Sequence, residues 1–409
     1  MPNTSCGSSV APKILVQRST KSSIRSTKGS SNKTRSAITK GSSSHQPRHV
    51  PSSRLAIIRE ALRKKDFSAR ASTLISQARR RSTNIVYDAK WRVYHSWCVA
   101  RQINPLNPSV ERLADFFVHL FDEQKLAVST IKGYRSMLSN TLSFRGVHYI
   151  GSDKMLSELI KSFENQRPVG RSLIPKWDLT LVLKSLTTAP YEPLSEATLQ
   201  AVTWKTIFLL SFASAKRRSE LHALSAEDGF LRFNADGSVT LLSEPGFLSK
   251  TQLPSVASVP INIPSLSAVC GSFDIDRLLC PVRSLKFYLA KVKSLRGNRK
   301  RLFIPLKGKG DITAASISRW IATVIKKAYS ALGNIAPETL RINAHELRAL
   351  STSWAYVNHT PLDDILKAAF WRNSSTFSSF YLRTLSVQKD DLYSLGPLVA
   401  SQTIVNSSV

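Results

Sequence analysis

The sequence predicts a mainly helical protein with two folded domains and a small antiparallel β-sheet inserted near the start of the second. Apolar residues recur with helical period in segments 87–98, 110–123 and 129–138. Turn-forming residues at 234–237 separate two short β-prone runs, which is typical of a hairpin. The chain has 409 residues, of which 42% are hydrophobic, so it is long enough for two or three domains with cores of their own.

Residues 72–165 are predicted to form the first domain, a helical bundle. Its first helix has an apolar stripe at i, i+4, i+7 and i+11, formed by Tyr87, Trp91, Tyr94 and Cys98. Two Asn-Pro pairs at 104–105 and 107–108 end that helix. The next two helices cover residues 110–123 and the segment that begins at Ser129; their apolar faces are Leu113, Phe116, Phe117 and Leu120, and Ile131, Tyr134, Met137 and Leu138. Stripes of this kind are usually core, and we interpret them so.

A linker is predicted at 166–171, where Pro168 and Gly170 stand among charged residues. The second domain is assigned to 172–395, and 396–409 is left as a tail. Residues 199–215 are typical of a buried helix. The hairpin strands are 230–233 and 239–242, and a third strand is expected at 259–263. Helices are predicted at 281–292, 314–332, 344–357, 362–370 and 375–385.

Positive charge dominates the composition, with 58 Lys and Arg against 27 Asp and Glu, a net charge of +31. The first 50 residues contain 18 Ser or Thr, nine basic residues and no acid, so residues 1–71 are predicted to be a disordered basic arm. Such an arm fits nucleic-acid binding, with import signals at 63–65 or 79–81, or a solvated linker. A mitochondrial transit peptide has a similar composition but does not account for the positive charge of the folded part. A nuclear location is the expectation.

Cysteine usage and hydropathy exclude several classes of protein. Cys6, Cys98, Cys270 and Cys280 stand far apart without a Cys-x-x-Cys pair, which argues against a disulfide scaffold and a zinc ribbon and fits a reducing compartment. The longest apolar stretch, around 206–215, is too short for a membrane span. The apolar run 14–16 is too short for a signal peptide. We expect a soluble intracellular protein whose partner is a polyanion, with no cofactor or metal.

Three stretches of the second domain carry residues suited to phosphodiester chemistry. They are 215–221 (AKRRSEL), 345–348 (HELR), and the segment from Trp371 to Tyr381. Arginine guanidinium groups match two phosphate oxygens and remain charged, so two of them can neutralise a pentacoordinate phosphorane. Donors aimed at developing charge are worth about 3–4 kcal/mol each. A tyrosine can act as a nucleophile that keeps the bond energy of a cut strand as phosphotyrosine.

The order Arg, His-x-x-Arg, Trp/His, Tyr resembles that of the tyrosine recombinase (phage integrase) family, over residues 72–385. Residues 217–221 match the Arg-x-Ser-Glu-Leu box of that family, which makes Arg217 the first catalytic arginine. His345 and Arg348 match the second box, Trp371 the position that is histidine in most members, and Tyr381 the nucleophile. Lys250 resembles the lysine that protonates the leaving 5′-oxygen. The sequence around the boxes looks most like recombinases of DIRS-like or Crypton-type mobile elements.

The resemblance implies a SAM-like helical core-binding domain followed by a mainly helical catalytic domain. It further implies cutting and rejoining of duplex DNA through a 3′-phosphotyrosine without metal, by a homo-tetramer (dimer of dimers) serving DNA integration. We expect the two domains to clamp DNA in a C shape, with the Pro168-Val169-Gly170 linker as hinge. Two departures stand out. Ser214-Ala215 replaces the common Thr-Gly, and the spacing from Trp371 to Tyr381 is one residue longer than usual.

Several alternatives remain open at this stage. Lys216 is a second candidate for the proton-donating lysine, and Tyr393 is the fallback nucleophile. Glu220 either orients Arg217 or forms a surface pair. Trp371 and Tyr381 could be packing residues. A non-catalytic DNA-binding protein derived from a recombinase is the second functional hypothesis, and an RNA-binding protein is a weaker third.

Overall fold

The computed structural model describes residues 53–170, 173–250, 259–266, 275–308, 310–331, 342 and 344–385. The chain divides into two compact units, Met1–Pro168 and Val169–Val409, and the division falls within the predicted linker. Most of the predicted arm, residues 1–52, lies outside the described residues, as does Tyr393. The mainly helical fold with a small antiparallel sheet is confirmed.

The first unit is a helical bundle around an aromatic core. Its helices are α1 (Arg54–Arg63), α2 (Ala69–Ser76), α3 (Arg81–Ala100), α4 (Val110–Asp122), α5 (Val128–Leu142) and α6 (Lys154–Gln166). The stripe on α3 faces inward, because Trp91, Tyr94 and Cys98 are almost completely buried and pack against α4 and α5. Trp91 therefore belongs to the core, and Trp97 is also buried. Ser109 caps α4 by accepting the backbone N–H of Arg112.

The prediction that residues 1–71 are disordered is wrong for its last part. Helix α1 begins at Arg54, and its Ile57 is completely buried in the bundle core. Arg54 is 1% exposed and donates to Asp88 and Asn84 on α3, at 2.9 and 2.5 Å. The basic composition of the whole segment concealed an amphipathic helix in which apolar residues recur on one face.

The second unit is built around helix α8 (Leu199–Ser214), which is buried on nearly all sides. The other helices of this unit include α7 (Leu179–Ser185), α9 (Arg218–His222), α10 (Pro281–Arg296), α11 (Ala314–Ala331), α12 (Ala344–Val357) and α13 (Leu362–Ala368). Helices α10, α11 and α12 pack directly against α8. Because apolar side chains lie on all sides of α8, with buried polar exceptions such as Lys205, these neighbouring helices stabilise it by covering it.

The sheet has the predicted hairpin and a third strand in the order β1 (Leu231–Phe233), β2 (Val239–Leu241) and β3 (Ile261–Ile263). All pairs are antiparallel, with Leu231 opposite Leu241 and Val239 opposite Ile263. Gly237 in the hairpin loop has a φ of +82°, which glycine adopts without strain. The third strand begins after Pro260, which cannot donate to a ladder.

The last predicted helix, 375–385, is shorter than expected. A turn of α-helix at Ser374–Thr376 continues into a π-helical turn, Phe377–Tyr381, and Leu382 is extended. The backbone N–H groups that would continue the helix have other acceptors: that of Arg383 donates to Ser353 Oγ and that of Thr384 to the carbonyl of Leu173. These tertiary hydrogen bonds compete with the helix and end it at Tyr381.

Candidate active site

The first arginine is placed by a left-handed turn at the end of α8. Ala215 follows the helix with φ +51° and ψ +23°, the conformation usually taken by glycine at a helix C-terminus. The chain then reverses through Lys216, and Arg217 stands at the N-cap position of the short helix α9. The Thr-Gly expected at 214–215 is thus replaced by Ser-Ala without loss of the turn.

Glu220 fixes Arg217 through two hydrogen bonds. Its Oε2 accepts the backbone N–H of Arg217 at 2.8 Å, and its Oε1 accepts the Arg217 guanidinium at 2.9 Å. The carboxylate is only 2% exposed, and its Oε2 also lies 3.7 Å from Nη1 of Arg348. Of the two roles considered for Glu220, the structure therefore shows the orienting one. A buried acid between two arginines keeps both in fixed positions.

Arg348 lies beneath the site on α12 and is 1% exposed. Its Nη1 donates to the carbonyl of Ala215 at 2.7 Å and its Nη2 to that of Ala369 at 2.5 Å. The guanidinium carbon stands 4.8 Å from the ring centre of Trp371 and 5.4 Å from that of Tyr381. Its Nε is buried without a hydrogen-bond partner among the described residues. Burial, with the charge of Arg217 as the next cause, lowers the pKa of Arg348 to about 10.

Tyr381 and His345 form the contact most relevant to chemistry. The Tyr381 hydroxyl is 2.8 Å from His345 Nε2. Partial burial, followed by the charges of Arg348 and Arg217, lowers the pKa of His345. The imidazole is therefore neutral at pH 7, and the tautomer with its proton on Nδ1 leaves Nε2 free to accept from the phenol. Tyr381 does lie within an aromatic cluster, but its hydroxyl is aimed at His345.

The ring of Trp371 also packs against Tyr381. Its ring centre is 4.4 Å from that of Tyr381, and it also packs near Phe377. The indole is 7% exposed, and its Nε1 has no hydrogen-bond partner among the described residues. Other buried indole N–H groups among the described residues, such as that of Trp354, also lack an acceptor; at Trp371 a phosphate oxygen would supply one. Phe380, by contrast, is 70% exposed although it neighbours Tyr381.

Two further contacts, which were not predicted from the sequence, hold the Tyr381 segment. Ser353 on α12 donates its hydroxyl to the Tyr381 carbonyl at 3.2 Å and accepts the Arg383 backbone N–H at 2.8 Å. Arg383 also pairs with Glu346 through Nε–Oε1 and Nη2–Oε2, at 3.1 and 3.3 Å. In the sequence, an acid directly after His345 and an arginine two residues after Tyr381 were the features that could have predicted this ion pair.

The two lysines considered as proton donors occupy different positions. Lys216 is 4% exposed, and its Nζ donates to the carbonyl of Ala368 at 2.7 Å. It therefore does not present its ammonium group to solvent or to a substrate. Lys250 is exposed, and its charge contributes to the lowered pKa of His345. Lys250 thus retains the freedom that a donor to a leaving group needs.

The structure brings five of the six predicted residues into one cluster, namely Arg217, His345, Arg348, Trp371 and Tyr381. The sixth, Lys250, acts on the cluster electrostatically. In the described part of the chain, no group of three or more His, Cys, Asp or Glu side chains is placed to hold a metal ion. No helix among the described residues has the length and apolar character needed to cross a membrane. The arrangement can bind a phosphodiester, receive a phenol proton and supply a nucleophilic oxygen.

No protein-family model matches the sequence, and no curated protein matches it. Solved structures do match. A DNA-bound lambda integrase dimer is 17% identical over 82% of this chain and 99% of that chain, with a TM-score of 0.46. XerH site-specific recombinase bound to a palindromic difH substrate is 13% identical over 81% and 85%, with a TM-score of 0.48. FLP recombinase in a Holliday junction complex is 16% identical over 83% and 81%, with a TM-score of 0.31.

These similarities, to an integrase and two recombinases, concern the fold. The free cysteines among the described residues, Cys98 and Cys280, are both buried and lie in the cores of the two units.

Proposed function

We propose that this protein is a tyrosine recombinase that cuts and rejoins duplex DNA through a 3′-phosphotyrosine. The observation that carries the proposal is the 2.8 Å contact between the Tyr381 hydroxyl and His345 Nε2, directly over the buried Arg348. A tyrosine whose proton has a neutral acceptor, beside two fixed arginines, is equipped to attack phosphorus.

In the proposed step, Tyr381 Oη forms a bond to the scissile phosphorus while the bond from phosphorus to the 5′-oxygen breaks. The phenol proton passes to His345 Nε2, and Lys250 gives a proton to the departing 5′-oxygen. Arg217 and Arg348 neutralise the phosphorane, and the Trp371 N–H donates to a non-bridging oxygen. Since the phosphotyrosine conserves the bond energy, the reverse attack by a 5′-hydroxyl rejoins DNA without an external energy source.

The nucleophile is proposed to act within its own chain, because Tyr381 contacts His345 of the same chain. Assembly as a homo-tetramer on DNA, a role in the integration of a mobile element and a nuclear location belong to the same proposal. They are supported by the resemblance of the boxes and by the net charge of +31, which favours salt-sensitive binding to phosphates.

A nicked suicide substrate tests the reaction, because loss of the short strand downstream of the break prevents rejoining and traps protein on DNA. We expect a covalent adduct with the unchanged chain and none with Tyr381→Phe. Tyr356→Phe is the matched control, since Tyr356 lies on α12 and packs against Phe377 without contacting His345. An equal adduct yield from Tyr381→Phe would show that Tyr381 is not the nucleophile.

A DNA-binding protein without strand cleavage is the second candidate. The observation that favours it is the state of Arg348, whose two terminal nitrogens both donate to backbone carbonyls beneath the rings of Trp371 and Tyr381. A phosphate reaches this guanidinium only if those rings move. Salt-sensitive binding of duplex DNA with no adduct from any substrate would select this function. A preference for RNA over duplex DNA at fixed salt would reject both.

A further inference from the structure

Lys216 is a buried cation for which the proposed reaction has no use. It stands directly before Arg217, is 4% exposed, and lies with its Nζ 3.2 Å from the ring centre of Phe370. A lysine is rarely buried to this degree unless its charge is compensated. The ammonium group donates to the Ala368 carbonyl, so its burial serves a contact with the end of α13.

The neighbouring carbonyl, that of Ala369, is held by the second buried cation, Arg348. Arg348 also donates to the carbonyl of Ala215, which immediately precedes Lys216. Two links therefore join segments 215–216 and 368–369: Lys216 bonds the Ala368 carbonyl directly, and Arg348 bridges the carbonyls of Ala215 and Ala369. Ala368 is the last residue of α13 and Ala369 is its C-cap, positions whose backbone oxygens lack partners within the helix and attract cations.

The turn held in this way leads directly to Trp371. After Ala369, Phe370 takes a left-handed conformation with φ +51°, which is unfavourable for a residue with a side chain. The backbone N–H of Trp371 then donates back to the Leu366 carbonyl at 2.9 Å. A strained turn of this kind persists only when its surroundings hold it, and here the ring of Phe370 lies against the Lys216 ammonium group.

We propose that Lys216 is a positioning residue: with Arg348 it holds the adjacent carbonyls of Ala368 and Ala369, and so fixes the turn that places Trp371 against Tyr381. The relevance to strand cleavage rests on the proposed function, whereas the fixing of the turn does not. The 4.4 Å contact between the two rings depends on where this turn leaves Trp371. Burial lowers the pKa of Lys216 to about 7, with Glu220 opposing and Arg348 and Arg217 adding to the shift.

Lys216→Met tests the proposal, because methionine has a similar length but no donor and no charge. Lys205→Met is the matched control. Lys205 is also completely buried in this unit and also donates to a carbonyl, that of Leu186, at 2.7 Å. Its ion-pair partner, however, is Glu192, which is not part of the candidate site. Lys216→Arg keeps a charged donor and serves as the conservative variant.

Hydrogen exchange of the free protein is the first readout, and it needs no activity. We expect the amides of residues 369–371 to exchange about tenfold faster or more in Lys216→Met, which corresponds to about 1.4 kcal/mol. Lys205→Met should leave them unchanged and affect residues near 186 instead. Partial recovery of protection in Lys216→Arg would support the role of the charged donor. Unchanged exchange at 369–371 in Lys216→Met would overturn the proposal.

The second readout is the rate of adduct formation at saturating DNA, with the DNA affinity measured separately. Lys216→Met should slow the adduct about tenfold while leaving the affinity within about twofold, and Lys205→Met should change neither once corrected for the folded fraction. If the unchanged chain forms no adduct, the proposed function fails while the exchange data still decide whether Lys216 holds the turn. Faster exchange together with an unaltered adduct rate would overturn the positioning of Trp371 for reaction.

Discussion

Glu220→Gln measures how strongly one buried carboxylate holds the two arginines of the site. Glu220 accepts two hydrogen bonds from Arg217 and lies 3.7 Å from Arg348, with 2% of its surface exposed. Removing one partner of a buried ion pair typically costs about 3–5 kcal/mol. Glutamine keeps an acceptor for the backbone N–H of Arg217, and a retained hydrogen bond is worth about 1 kcal/mol. We therefore expect the free energy of unfolding to fall by about 2–4 kcal/mol.

The assay is urea unfolding of the free protein at pH 7, followed by adduct formation at saturating DNA. Glu192→Gln is the control, because Glu192 is a buried acid of the same unit that pairs with Arg283 at 2.6 and 3.0 Å, away from the site. Both variants should lose stability, but only Glu220→Gln should slow the adduct per folded molecule, since only Glu220 orients Arg217. A stability loss below about 0.5 kcal/mol for Glu220→Gln, or an equal slowing by both variants, would refute the reasoning.

Three other predictions concern the same site. Ala215→Gly should raise the free energy of unfolding by up to about 1 kcal/mol, because Ala215 has φ +51° and glycine adopts that conformation without strain. Ala215→Val should lower the free energy of unfolding by more than about 2 kcal/mol, and urea unfolding checks both variants. The adduct rate should rise with pH, with a midpoint below the ordinary pKa of histidine because the pKa of His345 is lowered; a midpoint above that ordinary pKa would contradict this. Since the unfolded chain binds the proton of His345 more readily, the free energy of unfolding should also decrease as the pH falls below the ordinary pKa of histidine. Arg383→Met and Glu346→Gln should each slow adduct formation about tenfold without changing DNA affinity, because the two side chains form one ion pair that holds the Tyr381 segment. The double variant should be no slower than either single variant. Additive losses in this double-mutant cycle would argue against the pair.

Regular helices could be predicted well from the sequence, because the apolar residues that face the core recur with the period of a helix. The spacing of Trp91, Tyr94 and Cys98 predicted the buried face of α3, and the predicted helix at 344–357 has the observed bounds of α12. Helix α1 was missed because its neighbours are rich in Ser and Arg, so composition averaged over the segment hid its apolar face. The end of the last helix was also misplaced, since hydrogen bonds to Ser353 and Leu173 decide it.

The residues of the candidate site could be proposed from the sequence, but the hydrogen bonds that hold them in place could not. The resemblance of short patterns to those of the tyrosine recombinase family predicted Arg217, His345, Arg348 and Tyr381. The burial of Lys216 could not be predicted from sequence, because its ammonium group bonds a carbonyl 152 positions away. Contacts between side chains and distant backbone leave no pattern along the chain.

The charge balance of the site explains why its groups fit an anion. Lys216, Arg217 and Arg348 surround one carboxylate, Glu220, and positive neighbours help to lower the pKa of Lys216, His345 and Arg348 alike. A site in which cations destabilise one another lacks a negative charge, and a phosphodiester carries one. The carbonyls of Ala215, Ala368 and Ala369 supply partial negative charge in the free protein. Since a phosphate oxygen carries more charge than a carbonyl oxygen, it can compete for Arg348 once the rings of Trp371 and Tyr381 have moved aside.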